Sequence, residues 1–175
     1  MSFIQGFDSE TLREIVNPTA CEARLDEINN QRSLPALLER VWLLKVLGRL
    51  DESLAIADES VRQARMAGTR KDLLRARVLR ATVLQYRGDF AGADHELDLC
   101  VNEAEGQGWA SIAAFAHQHQ GKNAYESGDF ERARESFKRT VFLRREAGAA
   151  DSELESALLA IEAADRRRES VGVFG

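Results

Sequence analysis

Two stretches decide the fold: Gly88-Asp89-Phe90-Ala91-Gly92-Ala93 and, forty residues on, Gly128-Asp129-Phe130-Glu131-Arg132-Ala133. Forty residues before the first of them stands Gly48-Arg49-Leu50, again with a large apolar residue two places after the glycine. A second set of glycines, Gly68, Gly108 and Gly148, keeps the same spacing. Further positions match in phase: Ala36, Ala76 and Ala116; Ser53, Ala93 and Ala133; Val61, Val101 and Val141. A period of roughly 20 to 50 residues marks a repeat protein, whose neighbouring units stack to bury a shared core. Such proteins commonly bind other molecules along their surfaces.

Each forty-residue unit holds two periodic segments. In the second unit, apolar residues fall at Leu74, Val78, Ala81 and Leu84, and after Gly88 at Phe90, Ala93, Leu97, Cys100, Val101 and Ala104. Steps of three and four trace one face of an α-helix, so each unit is predicted to be a helical hairpin. Glycine enters the left-handed conformation that commonly ends a helix without a side-chain penalty, so the two glycine sets are read as helix stops. Asp89 and Asp129, and after the second set Ser111 and Asp151, are expected to cap the helices that follow, with Asp51 serving in the first unit. Short connections make the two helices antiparallel neighbours. Small residues at Val41, Ala81 and Gly121 on the first helices, and at Ser53, Ala93 and Ala133 on the second, allow close approach, while Leu97 and Phe137 fill the space between.

The outer segments follow other rules. Ser9 to Val16 and Pro18 to Gln31 read as two short helices, the second capped by Asn17 with Pro18 in its first turn. Leu154, Ala157, Leu158, Ile161 and Ala164 share one face of a last helix that suits the wet end of a repeat array. The expected organisation is therefore an N-terminal helical extension over 1–32 packing on the repeats, and a repeat domain over 33–169. That domain has units at about 33–71, 72–111 and 112–151, a capping helix at 152–169, and a tail at 170–175.

With 44% hydrophobic and 30% charged residues and only two prolines, the chain has the composition of a folded helical protein. Its net charge of −5 argues against general adhesion to nucleic acid or anionic membranes. Cys21 and Cys100 form no C-x-x-C pair, so neither a disulfide framework nor a zinc ribbon is expected. The first residues lack the basic start and apolar run of a secretory signal, and no segment reaches the ~20 apolar residues of a membrane helix. Cytoplasm is the expected location.

The G-D-F-x-x-A turns at Gly88 and Gly128, each with a small residue seven positions earlier at Ala81 or Gly121, resemble the turn of tetratricopeptide repeats over roughly Ser33 to Asp151. The forty-residue period exceeds the ~34 of the standard repeat and is similar to the longer-helix variety found in bacterial regulators and motor light chains. Gly68, Gly108 and Gly148 stand where a proline often closes the standard repeat. The resemblance implies an all-α, right-handed solenoid of three hairpins with N-terminal helices and a C-terminal capping helix.

Motifs for chemistry are missing from the sequence. It holds no H-E-x-x-H, P-loop or G-x-S-x-G, and Gly106-Gln107-Gly108 follows a helix rather than a strand. His117 and His119, two apart on a helix, point in different directions and do not converge on a metal. Cys100 shares its phase with Ser60 and Thr140, which marks a small packed residue. No catalytic residue, cofactor or metal is expected.

In the family this chain resembles, the first helix of each unit lines a concave face that holds peptides. The matching positions begin at Leu38, Trp42 and Lys45, continue with Arg75, Val78, Thr82, Gln85 and Tyr86, and end with Phe115, Gln118, Lys122, Tyr125 and Glu126. Trp42, Tyr86, Phe115 and Tyr125 offer apolar contact there, and Arg75 and Lys122 offer charge to a carboxylate or carbonyl. Aromatic and arginine residues are favoured interface anchors. Leu38 and Trp42 replace the lysine and asparagine clamp of the chaperone-tail binders, so a different protein or peptide partner is expected. A homo-oligomer joined through the terminal helices or the tail is the alternative.

Overall fold

Left-handed glycines set the rhythm of the chain. In the computed structural model, which describes residues 2–173, Gly48, Gly88 and Gly128 have φ of 76°, 83° and 91°. Each lies in the short turn between two helices. Asp89 then accepts the N–H of Gly92 at 2.9 Å, and Asp129 that of Arg132 at 3.1 Å, as the sequence predicts. The resulting helices are α1 (Pro18–Ile28), α2 (Leu34–Val46), α3 (Leu50–Ala67), α4 (Arg70–Tyr86), α5 (Phe90–Gly106), α6 (Ala110–Ser127), α7 (Phe130–Glu146) and α8 (Asp151–Gly172). The described residues are thus mostly helical.

Three capping expectations need correction. Ser111 lies inside α6, which starts after Trp109 with no side-chain cap, and Asp51 sits in the first turn of α3 rather than before it. At α8 the cap comes from Glu153, whose carboxylate accepts the N–H of Ala150 at 2.8 Å. Gly68 also differs from its counterparts: its φ is −94° and its ψ 178°, an extended conformation. There the stop signal is carried by Thr69 and Asp72, which exchange backbone hydrogen bonds in a capping box at the start of α4.

The larger correction concerns the N-terminus. Asn17 does cap α1, accepting from the N–H of Ala20, but Ser9 to Val16 is not a helix. Ile4–Phe7 (β1) and Glu14–Val16 (β2) pair antiparallel, with Ile4 opposite Val16 and Phe7 opposite Glu14, and a register shift at Gly6. The Asp8 N–H donates to the Arg13 carbonyl at 2.9 Å and closes the loop. Leu12 has φ of 58°, which no right-handed helix admits. Ile15 and Val16 are β-branched and favour the extended state over a short helix that has no neighbouring turn to pack on. The expected tail also begins later, since α8 continues to Gly172; Phe174 and Gly175 lie outside the described residues.

The chain forms two compact units that divide within α5, after Ala93. The first holds the residues up to Asp8 together with Arg13–Ala93. Here Cys21, Leu25, Ile28, Leu43 and Leu44 form one core, with Phe3, Val16 and Trp42 packed against it. A second core joins Val41, Ala57 and Val83 across α2, α3 and α4. Ser53, one of the small residues, donates its hydroxyl to the Val41 carbonyl at 2.7 Å, so the α2–α3 approach is fixed by a buried hydrogen bond.

The second unit holds Ser9–Leu12 and the described residues from Asp94 onward. Its core joins Ala124, Tyr125, Phe130, Ala133 and Phe137 to Ala160, Ala163 and Ala164 of α8, with Leu12 inserted among them. The small-against-large expectation holds at Gly121 in α6. A β-carbon placed there would stand 2.6 Å from a ring atom of Phe137 in α7.

Candidate functional site

The positions singled out on the first helices are largely covered rather than open. Lys45, Thr82 and Gln85 of the first unit are 2%, 1% and 2% exposed. What lies on the neighbouring side chains is the chain's own N-terminal hairpin. Phe3 packs on Trp42 with ring centroids 6.2 Å apart and planes tilted by 58°. Arg13 donates from Nη2 to the Tyr86 carbonyl at 3.3 Å and sets its guanidinium 4.3 Å from the centre of the Tyr86 ring.

Tyr86, the last residue of α4, is the centre of this arrangement. Its hydroxyl donates to Oε2 of Glu14, and its ring also carries the Lys45 ammonium 4.6 Å from the centroid. Lys45 in turn donates to Oγ1 of Thr82 at 3.2 Å, which spans α2 and α4. Two cations against one aromatic ring are tolerable because the ring quadrupole attracts both and the Glu14 carboxylate offsets their charge. Burial and the adjacent Glu14 carboxylate push the Tyr86 phenol well above its ordinary range, so it remains a donor at any physiological pH.

In the second unit Tyr125 plays a comparable part. Its hydroxyl donates to the Ser9 carbonyl at 2.8 Å, and its ring meets Phe130 edge-on at 5.3 Å. It is 2% exposed, and Leu12 belongs to the same core. Gln118 is buried, with no partner for Oε1 among the described residues. Phe115 is half-buried and packs edge-on against His119 at 4.8 Å, and Lys122 is half-buried. Arg75 of the first unit is the exposed member of the set, 3.8 Å from Asp72 on its own helix.

Within the first unit the fold therefore gathers Lys45, Thr82 and Tyr86 into one polar and aromatic cluster and seats Trp42 beside Phe3. Arg75 stands apart, near the start of α4. Sequence reasoning missed the residues that cover these positions: Phe3, Arg13 and Glu14 in the first unit, Ser9 and Leu12 in the second. The β-branched Ile4, Ile15 and Val16 were the available signal for strands in this segment.

The histidines and acids of the second unit form structural links. His117 contacts Gln120 through Nδ1 at 3.2 Å and Glu105 through Nε2 at 3.0 Å, and Arg139 reaches the same glutamate at 2.9 Å. Both cysteines are buried and unpaired with each other, and burial raises the Cys21 thiol. Among the described residues, no three histidine, cysteine or acidic side chains are grouped to hold a metal, and no helix is long and apolar enough to cross a membrane.

Burial works to raise Glu105, but hydrogen bonds from His117 and Arg139 outweigh it and hold the carboxyl below its ordinary value of 4.5. A carboxyl lowered by folding adds stability that is complete above its unfolded value and is lost as the pH falls through its folded value. The urea midpoint should therefore drop between about pH 5 and pH 3, and Glu105→Gln should flatten that part of the curve. An unchanged slope in the Gln variant would show that Glu105 contributes nothing to acid sensitivity.

No protein-family model matches the chain, and no curated protein matches it.

Proposed function

We propose that this chain is a non-enzymatic interaction module of the tetratricopeptide type, a right-handed solenoid of three helical hairpins that works in the cytoplasm. In this reading α2 and α4 of the first unit receive a segment of a protein partner. The observation that carries the reading is that side chains of these helices already hold a segment of chain, the N-terminal hairpin of β1 and β2. In the first unit Trp42 meets Phe3 and Tyr86 meets Arg13 and Glu14, and in the second unit Tyr125 binds the Ser9 carbonyl of the hairpin loop. Recognition of extended chain by aromatic pockets and carbonyl-directed hydrogen bonds is a recurrent mode of peptide binding.

The same contacts define the partner's chemistry. It presents an aromatic or large aliphatic side chain together with an adjacent basic and acidic pair, as the antiparallel hairpin presents Phe3, Arg13 and Glu14. The native N-terminal segment competes with it for the same side chains, so free and covered states exchange and the partner's apparent affinity is reduced by the covered fraction.

Site-specific photocrosslinking tests the reading. A photoreactive residue at exposed Arg75 on α4 should capture the partner, and an excess of peptide spanning residues 2–16 should suppress the capture. The comparison position is Phe142 on α7, which is 50% exposed. Capture from Phe142 alone, or capture from Arg75 that the peptide does not reduce, would place the partner elsewhere.

A further inference from the structure

Arg40 of α2 is 8% exposed, and its Nε and Nη1 are buried without a hydrogen-bond partner among the described residues. A guanidinium stays charged under all ordinary conditions, and leaving it buried without a counter-charge is costly. Native proteins rarely leave such groups unsatisfied unless water or an ion completes them. The carboxylates close to it in sequence and space are already engaged. Glu39 takes Arg24 through two hydrogen bonds at 2.6 and 3.0 Å, and Glu52 takes Arg49 at 2.9 and 2.7 Å.

Arg40 also lines a pocket of about 200 Å³ within the first unit, between α1, α2 and α3. Leu25, Leu44 and Ile56 supply apolar wall, while Arg49 and Glu52 stand at the same pocket and neutralise one another. The lining therefore carries one uncompensated positive charge beside an aliphatic surface. Its volume equals the liquid share of roughly seven water molecules, enough for a carboxylate with a short aliphatic tail.

We propose that this pocket binds a small aliphatic monocarboxylate, whose charged end pairs with Arg40 and whose tail lies against Leu25, Leu44 and Ile56. A planar carboxylate matches the guanidinium fork, and a single negative charge balances the lining. The pocket uses neither Trp42 nor Tyr86, although its aliphatic wall belongs to the core on which Phe3 and Val16 pack.

The test is a titration of the ¹⁵N-labelled full chain with hexanoate, hexylamine and inorganic phosphate, followed by NMR. Hexanoate should produce saturable shifts around Leu44 and Ile56 with a Kd of roughly 0.1–5 mM. Hexylamine, with the same tail and the opposite charge, should produce none, and phosphate should bind at least about tenfold more weakly. Arg40→Met should lose at least about tenfold in hexanoate affinity while melting no lower than the native chain, because an apolar side chain of similar length replaces an unpartnered buried charge. Arg40→Lys, which keeps the charge but not the fork, should fall between the two, and it serves in place of the Met variant if that one does not fold. The proposal is overturned if hexanoate gives no saturable shift up to about 20 mM, if hexylamine or phosphate binds as well as hexanoate, or if the Arg40 variants bind hexanoate like the native chain.

Discussion

Phe137→Ala should lower the unfolding free energy by about 3–5 kcal/mol, the usual cost of emptying an aromatic core site. For a chain of this length that corresponds to a fall of roughly 6–20 °C in Tm. The ring is fully buried and shares its core with Tyr125, Phe130 and the alanines of α8. It lies directly against the backbone of α6, because the nearest surface it meets there is Gly121. That contact makes the converse change informative. Gly121→Ala gains about 1 kcal/mol of helix propensity, but its methyl would stand 2.6–2.9 Å from three ring atoms.

Overpacking of this kind costs about 1–3 kcal/mol, and the ring has little room to withdraw, so the alanine variant should be net destabilised. Adding Phe137→Leu should recover part of the loss, because the smaller side chain makes room for the methyl. Such coupling is expected only between residues in contact. Urea denaturation followed by circular dichroism reads the native chain, Phe137→Ala, and the cycle of Gly121→Ala, Phe137→Leu and their double variant. A loss below about 1 kcal/mol for Phe137→Ala, or strictly additive effects in the double variant, would contradict the packing described.

What the sequence disclosed was local. Gly88 and Gly128 end helices in the left-handed conformation, and Asp89 and Asp129 cap the next ones, because each of those events involves residues within a few positions of one another. The same logic exposed Gly121 as the small partner of a large side chain, through its phase in the repeat. Gly68 misled for a local reason too: the Thr69 and Asp72 capping box starts α4 without any need for a left-handed residue before it.

The candidate site was less legible, because its state depends on contacts far apart in the chain. Nothing near Lys45 in the sequence says that its ammonium will lie over Tyr86 and donate to Thr82. Nor does anything near Tyr86 announce Arg13 and Glu14, more than seventy residues away. The N-terminal strands were concealed for a different reason. Segments of three and four residues are too short for either periodicity to assert itself, and only β-branching and the positive φ of Leu12 separate them from a helix. Arg40 carries a further lesson, since its spacing on α2 reads as an ordinary amphipathic residue until its burial and lack of partners are seen.

The claim that the first-helix side chains form a receptor for a segment of chain is tested most directly in two pieces. A chain beginning at Asn17, checked for native helicity by circular dichroism, is titrated with a fluorescent peptide spanning residues 2–16. The peptide should bind with a Kd of roughly 1–100 μM. Tyr86→Ala in the chain should weaken it at least about tenfold, because that one residue supplies the ring under Arg13 and the donor to Glu14. A folded chain that leaves the peptide unbound at about 1 mM, or that binds it equally well without the Tyr86 side chain, would contradict the claim.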